Sequence, residues 1–278
     1  MNKVATADFG EINVENRDCP LCKTNNDGVS PSPYSDGSWQ IRNCRTCRFV
    51  YIDKAPLYSY LAEEMDWGTT TKVEEVRREK NRPVSFKLSK LSRWRLHLFP
   101  RKGLPLLIAA NAEPGNIIDI GCGDGLQMMD LSKNYVPHGI DISKKLAIHA
   151  DGFFRERGGY AINAPALEGL KRFADNFFSA ATMRSYLEHE MHPLEILKET
   201  HRVLYPGGVA LIKVPNFGSL NRMVMGKRWC GFRYPDHLNY FTARSLREMG
   251  EKCGFSVSYG LKGRFPTNDN LHAVFRKT

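Results

Sequence analysis

The chain has no long hydrophobic run. Its longest near-apolar stretch, Leu104 to Ala110, is interrupted by Pro105 and is far too short to span a bilayer. The first ten residues lack the apolar centre of a secretory signal, so a cytoplasmic location is expected. No internal repeat is found, and the one biased stretch, Asn25 to Ser38, reads as loop. Wholesale disorder is excluded, because 4 Trp, 11 Tyr and 15 Phe can supply a core. Acidic residues are in the minority, 30 against 40 basic, for a net charge of +10. The surplus is local: Lys72–Lys102 holds eleven basic and three acidic residues, and the remainder nearly balances.

What is present falls into three parts. The first, residues 1–55, holds four of the seven cysteines as Cys19-Pro-Leu-Cys22 and Cys44-Arg-Thr-Cys47. An odd total and paired CxxC spacing favour metal binding over a disulfide framework. Two knuckles bring four thiolates into the tetrahedron that Zn²⁺ accepts, and four cysteines leave no open position, so a structural zinc ribbon is predicted. Redox chemistry would need one CxxC at a helix start, which neither pair shows. The second part, residues 56–112, is a basic helical linker whose apolar residues, among them Phe86, Leu91 and Trp94, suit packing on a core. Attraction to RNA, or to a membrane surface carrying a lipid-linked substrate, are its other readings.

The third part, residues 113–278, alternates strands with helices. Asn116–Ile120, His138–Ile142, Phe177–Met183 and Val209–Val214 read as strands; Leu126–Lys133, Lys144–Arg157 and Pro193–Leu204 carry helical spacing. Ala243–Cys253 reads as a further helix, with Ser256–Tyr259 and Leu271–Phe275 as closing strands. This order implies an α/β fold with a mostly parallel sheet. Between its first strand and first helix lies Ile117–Gly125, IIDIGCGDG. Glycines allow the backbone close to a ligand, and amides at a helix start point at it. Asp141, twenty residues after Gly121, ends the next strand and can accept hydrogen bonds from ribose hydroxyls. The spacing is GxGxG rather than the GxGxxG of a pyrophosphate site. Asp119, two residues before the first glycine, suits a ligand with a cationic amino-acid portion.

This turn resembles motif I of the class I S-adenosylmethionine-dependent methyltransferases. Leu187–Gly208 (LEHEMHPLEILKETHRVLYPGG), the Pro215-Asn216 strand ending and Asp236–Phe255 are similar to the ubiquinone-biosynthesis O-methyltransferase-like branch. One departure is Ser179, where relatives often carry Asp in strand 4. The resemblance covers roughly residues 113–275 and implies a Rossmann-like seven-stranded sheet ordered 3-2-1-4-5-7-6, with the seventh strand antiparallel. It implies S-adenosylmethionine as cofactor, held by Asp119, Gly121, Cys122, Gly123 and Gly125 at its methionine portion. It also places Asp141 at the ribose, Ile142 at the adenine, and Met183 and Arg184 near the transferred methyl. A CxxC…CxxC module precedes the methyltransferase domain in some sugar C-methyltransferases and some ribosomal RNA methyltransferases.

Methyl transfer is an in-line displacement, and an acceptor hydroxyl or acidic C–H also needs a base. His189, after strand 4, and His237, in the aromatic and basic insertion 216–241, are the candidates. The bland reading of His189 is a helix-capping residue, and that of His237 a loop-stabilising bond to Asp236. The insertion could line a pocket for an anionic or sugar-like acceptor, and Arg184 adds weight to an acidic one. The predicted function is methyl transfer to a small molecule. The alternatives are an RNA methyltransferase and a non-catalytic cofactor-binding partner protein.

Overall fold

The computed structural model describes residues 2–6, 10–57, 103–260 and 266–278; the basic run 72–102 lies outside them. The N-terminal part forms β1 (Asn2–Thr6), β2 (Gly10–Asn16), β3 (Ile41–Asn43), β4 (Val50–Ile52) and β5 (Lys54–Pro56). β1, β2 and β5 make one small antiparallel sheet, and β3 and β4 pair as a hairpin. Of the second part, α1 (Leu104–Ala109) is described, with Pro105 in its first turn, where a missing amide hydrogen costs nothing.

The main sheet is built from β6 (Gly115–Ile120), β7 (Tyr135–Asp141), β8 (Ala161–Asn163), β9 (Phe178–Arg184) and β10 (Leu204–Pro215). After the two-residue β11 (Asn239–Tyr240), which belongs elsewhere, β12 (Phe255–Tyr259) and β13 (Asn270–Lys277) complete it. The order is β12-β13-β10-β9-β6-β7-β8, with β13 antiparallel to both neighbours. Counted along the sheet's own strands, this is 3-2-1-4-5-7-6, as expected. Ile117 to Ile120 are all buried, as are six of the seven residues of β9, the pattern of strands covered on both faces.

The covering helices are α2 (Lys144–Arg155), α3 (Ala166–Leu170), α4 (Pro193–Val203), α5 (Leu220–Met225) and α6 (Ala243–Lys252). α2 buries Ala147, Ala150 and Phe154, one face at helical spacing. α6 starts on a capping box in which Thr242 and Ser245 satisfy each other's amides. The predicted helix Leu126–Lys133 is corrected: only the 3-10 turn Leu126–Met128 forms. Its start, Gly125, is left-handed and has no side chain to cap the amides, while Asp130, Ser132 and Asn134 favour turns. β8, the third strand that the resemblance implies, is too short to show alternation and was not located in the sequence.

The N-terminal part does not close a core of its own. β4 pairs antiparallel with β11 of the insertion, making a three-stranded sheet β11-β4-β3 across the two regions. Trp39, Ile41, Val50 and Ile52 share a buried cluster with Trp229, Phe232 and Tyr240. Phe49 meets Phe241 edge-on at 5.3 Å.

Candidate active site

At the end of β6 the chain turns back over the sheet, and the amides of Gly121 and Cys122 both donate to the Ile140 carbonyl, at 2.9 and 3.1 Å. Gly121 has φ +75°, and a Cβ there would lie 2.6 Å from the Tyr186 ring. Gly123, at φ +55°, would point its Cβ into open space, so a ligand can approach this backbone closely. The Asp141 carboxylate accepts from the amides of Gly123 and Ser143, each at 2.8 Å.

A cavity of about 410 Å³ opens here. The carboxyl ends of β6 and β7 contribute Gly121, Cys122, Gly123, Asp141 and Ile142; those of β9 and β10 contribute Arg184, Tyr186, His189, Glu190 and Lys213. The insertion adds Pro235, Asp236 and Leu238, and the N-terminal part adds Pro56. This is the crevice where the strand order reverses, the usual ligand position in such sheets. Of the predicted site residues, Asp119, Gly125, Met183 and His237 do not line it. Gly125 packs against Ala150, which a Cβ would approach to 3.1 Å, and Met183 is wholly buried. Cys122 touches the cavity with a thiol whose pKa burial pushes up, so it stays protonated.

Asp119 is 3% exposed and takes a short hydrogen bond from the Thr182 hydroxyl. Burial raises its pKa to about 7, with Thr182 and Arg184 opposing. Arg184, which lines the cavity, is close enough to oppose that rise.

His189 points its Nδ1 at Asp236, 2.9 Å from both the main-chain oxygen and Oδ1. Both are acceptors, so Nδ1 carries the hydrogen and Nε2 is the exchangeable position. Burial lowers the pKa of His189, but Asp236, with help from Glu188, outweighs it and raises the value to about 9. Burial raises the pKa of Asp236 less than His189 and Arg233 depress it, so it stays ionised; Arg233 lies 2.8 Å away. His237 is buried, gives Nδ1–H to the Gly231 carbonyl at 2.8 Å, and is held neutral by burial and by His189, with a pKa near about 3. The expected partnership of His237 with Asp236 is therefore replaced by one between His189 and Asp236. His237 stands behind His189, ring centroids 4.8 Å apart. With Glu188 the two histidines place one oxygen and two nitrogens within 4.8 Å of one another.

The aromatic residues of the insertion do not line the cavity. Phe217, Trp229, Phe232, Tyr234 and Tyr240 pack on one another and on the N-terminal part, and Tyr234 donates to the Tyr34 carbonyl at 2.5 Å. Lys213 and Glu190 were not singled out from the sequence. Lys213 does carry a signal there: it is the cation near the carboxyl end of an apolar strand, and it pairs in register with Arg184.

The four N-terminal cysteines come together as two like knuckles. In each, the amide of the residue after the second cysteine returns to the first cysteine's carbonyl: Lys23 to Cys19 at 2.8 Å and Arg48 to Cys44 at 2.9 Å. Both returning residues are left-handed, φ 60° and 65°. Cys19 Sγ lies 3.5 Å from Cys47 Sγ, Cys22 Sγ lies 3.4 Å from Cys44 Sγ, and all four are within 4.8 Å. This donor set and spacing fit a tetrahedral zinc.

Residues 92–259 match the sequence model of the methyltransferase-domain family. The chain belongs to that family. A curated relative, an uncharacterized 37.1 kDa protein in transposon TN4556 of Streptomyces fradiae, is 32% identical over 126 residues, 41% of this chain and 34% of its own length. The chain thus spans about a third of that relative. Among solved structures, the small RNA methyltransferase HEN1 has a TM-score of 0.50 at 20% identity, over 62% of this chain and 24% of that one. A methyltransferase from Archaeoglobus fulgidus, described as SAM-dependent, scores 0.49 at 17% identity, over 80% and 100% of the two chains. The [4+2]-cyclase SpnF scores 0.47 at 21% identity, over 63% and 80%. At these identities the likeness is one of fold.

Among the described residues no helix is long and apolar enough to cross a membrane.

Proposed function

We propose that this methyltransferase domain transfers a methyl group from S-adenosylmethionine to a small, anionic acceptor, with His189 taking the acceptor's proton. The observation that carries the reading is a single cavity with two chemically distinct halves. One holds the glycine turn and Asp141; the other holds Arg184, Lys213 and the His189–Asp236 pair. S-adenosylmethionine, when bound, supplies a methyl group already activated by a sulfonium. Asp141, at the cavity wall, accepts from the ribose hydroxyls, and the backbone at Gly123 admits the donor closely. Arg184 and Lys213 orient an acidic acceptor. His189 accepts a proton at Nε2, and Asp236 stabilises the resulting imidazolium. The cysteine cluster holds a structural zinc and takes no part in the chemistry.

Isothermal titration with S-adenosylhomocysteine tests the first half. The wild-type chain binds it, and Asp141→Ala weakens binding by roughly 10–100-fold, the worth of hydrogen bonds to a charged group. No binding by the wild-type chain overturns the reading. Binding without turnover on a panel of acidic sugars, quinols and RNA leaves the non-catalytic partner protein; turnover on RNA alone selects the RNA methyltransferase.

A further inference from the structure

The loop after β9, Leu187 to Met191, carries Glu188, His189 and Glu190. It connects a strand to α4, four of its five residues are buried, and four of its five carbonyls are engaged by side chains and amides from distant sequence. Asn239, 2% exposed, donates through Nδ2 to the carbonyls of Leu187, at 2.8 Å, and Glu190, at 2.6 Å. The amides of Leu238 and Asn239 both donate to the Glu188 carbonyl, at 2.7 and 3.0 Å. The Met191 carbonyl accepts from Arg17 Nη2 at 2.9 Å. The same nitrogen donates to Asn239 Oδ1 at 3.0 Å, and Nη1 reaches the Ile52 carbonyl at 3.3 Å. Arg17 is only 9% exposed and stands two residues before Cys19, immediately after β2.

A buried guanidinium is costly unless its donors are used, and here they are spent on three elements at once. Arg17 ties the cysteine module, through Ile52 of β4, to β11 and to the loop that aims His189. Its planar fork supplies two donor directions that a lysine ammonium cannot reproduce in the same place.

We propose that Arg17, acting with Asn239, is a positioning residue of the methyl-transfer site, through which the cysteine module holds the His189 loop in its working geometry. The inference rests on the functional reading above for the role of His189, but its latch does not depend on the acceptor.

The test compares the full-length wild-type chain with Arg17→Lys and Arg17→Ala by three measurements. Hydrogen exchange at the Leu187–Met191 and Leu238–Asn239 amides rises about tenfold or more in Arg17→Ala, while the Gly121–Gly125 amides stay as in wild type. The His189 imidazole titration, followed by NMR and assigned with His189→Gln, moves down from about 9 toward 6.5 as its hold on Asp236 loosens. S-adenosylhomocysteine affinity, read by calorimetry, stays within about twofold, because the cofactor half lies on β6 and β7. Arg17→Lys keeps the charge, guards against a failure to fold, and gives the same changes in smaller measure. Unchanged loop exchange and an unmoved His189 titration in both variants overturn the latch. Absence of S-adenosylhomocysteine binding by the wild-type chain instead overturns the cofactor reading and leaves the exchange result to judge the latch by itself.

Discussion

His189 shows how one contact decides the chemistry a residue can do. With Asp236 against Nδ1 it is protonated at neutral pH, and its free base grows as pH rises toward about 9. If it is the proton acceptor, kcat climbs about tenfold per pH unit below that value and then levels off. Asp236→Asn brings the inflection down toward 6.5, and His189→Gln removes it; a flat profile in the wild type dismisses His189 as base. The same shift sets a stability signature. A histidine whose pKa is raised by folding stabilises the fold below its unfolded value of 6.5, and that contribution disappears as pH passes through about 9. Denaturant melts from pH 6 to 10 therefore fall more steeply for wild type than for His189→Gln.

Among the elements, β11 matters most for its size. Two residues, Asn239 and Tyr240, continue the β3–β4 hairpin and place Asn239 against the Leu187–Met191 loop. The aromatic cluster around Trp229 keeps that pairing in place. Trp229 is 2% exposed, touches Phe217 and Phe232, and donates Nε1–H to Asp269 at 3.2 Å. Trp229→Ala removes this filling from a core shared by two regions and is expected to cost about 3–5 kcal/mol. Thermal unfolding should fall by about 10 °C. Hydrogen exchange should rise together at Trp39–Ile41 and at Phe232–Tyr240, since both sides pack in the one buried cluster that Trp229 fills; a rise on one side alone refutes the shared core.

For the whole molecule, the cysteine module and the methyltransferase domain are joined in one fabric of strands, aromatic packing and buried polar contacts. Lys23 pairs with Glu195 of α4 at 2.8 Å, and Lys252 of α6 donates to the Leu21 carbonyl at 3.3 Å, so the first knuckle rests on the main domain at two points. Removing the proposed zinc should therefore be felt beyond the module. Metal analysis is expected to find one zinc per chain, and Cys44→Ser or exhaustive chelation to lower the melting temperature by about 10 °C or more. A full-length chain that carries no metal and melts unchanged under chelation rejects the site.

Much of this was written locally. The strand alternation implied a mostly parallel sheet, because buried parallel strands and tight glycine turns are short-range signatures, and its order came from the family that the motifs at Ile117–Gly125 and Leu187–Gly208 resemble. The two CxxC pairs announced their cluster for the same reason, and Asp141 could be located by counting from Gly121. What folding alone decided are the long-range partnerships. Asp236 could be paired with its neighbour His237 from the sequence, yet it is 47 residues away that it finds His189. The insertion's aromatic residues look like pocket lining, but they turn to Trp39 and Ile41, since that is where apolar surface waits to be covered. Arg17 has no local signature at all. Its role comes from the Met191 carbonyl and Asn239, 174 and 222 residues further on, and only a closed tertiary structure brings those acceptors to one buried guanidinium.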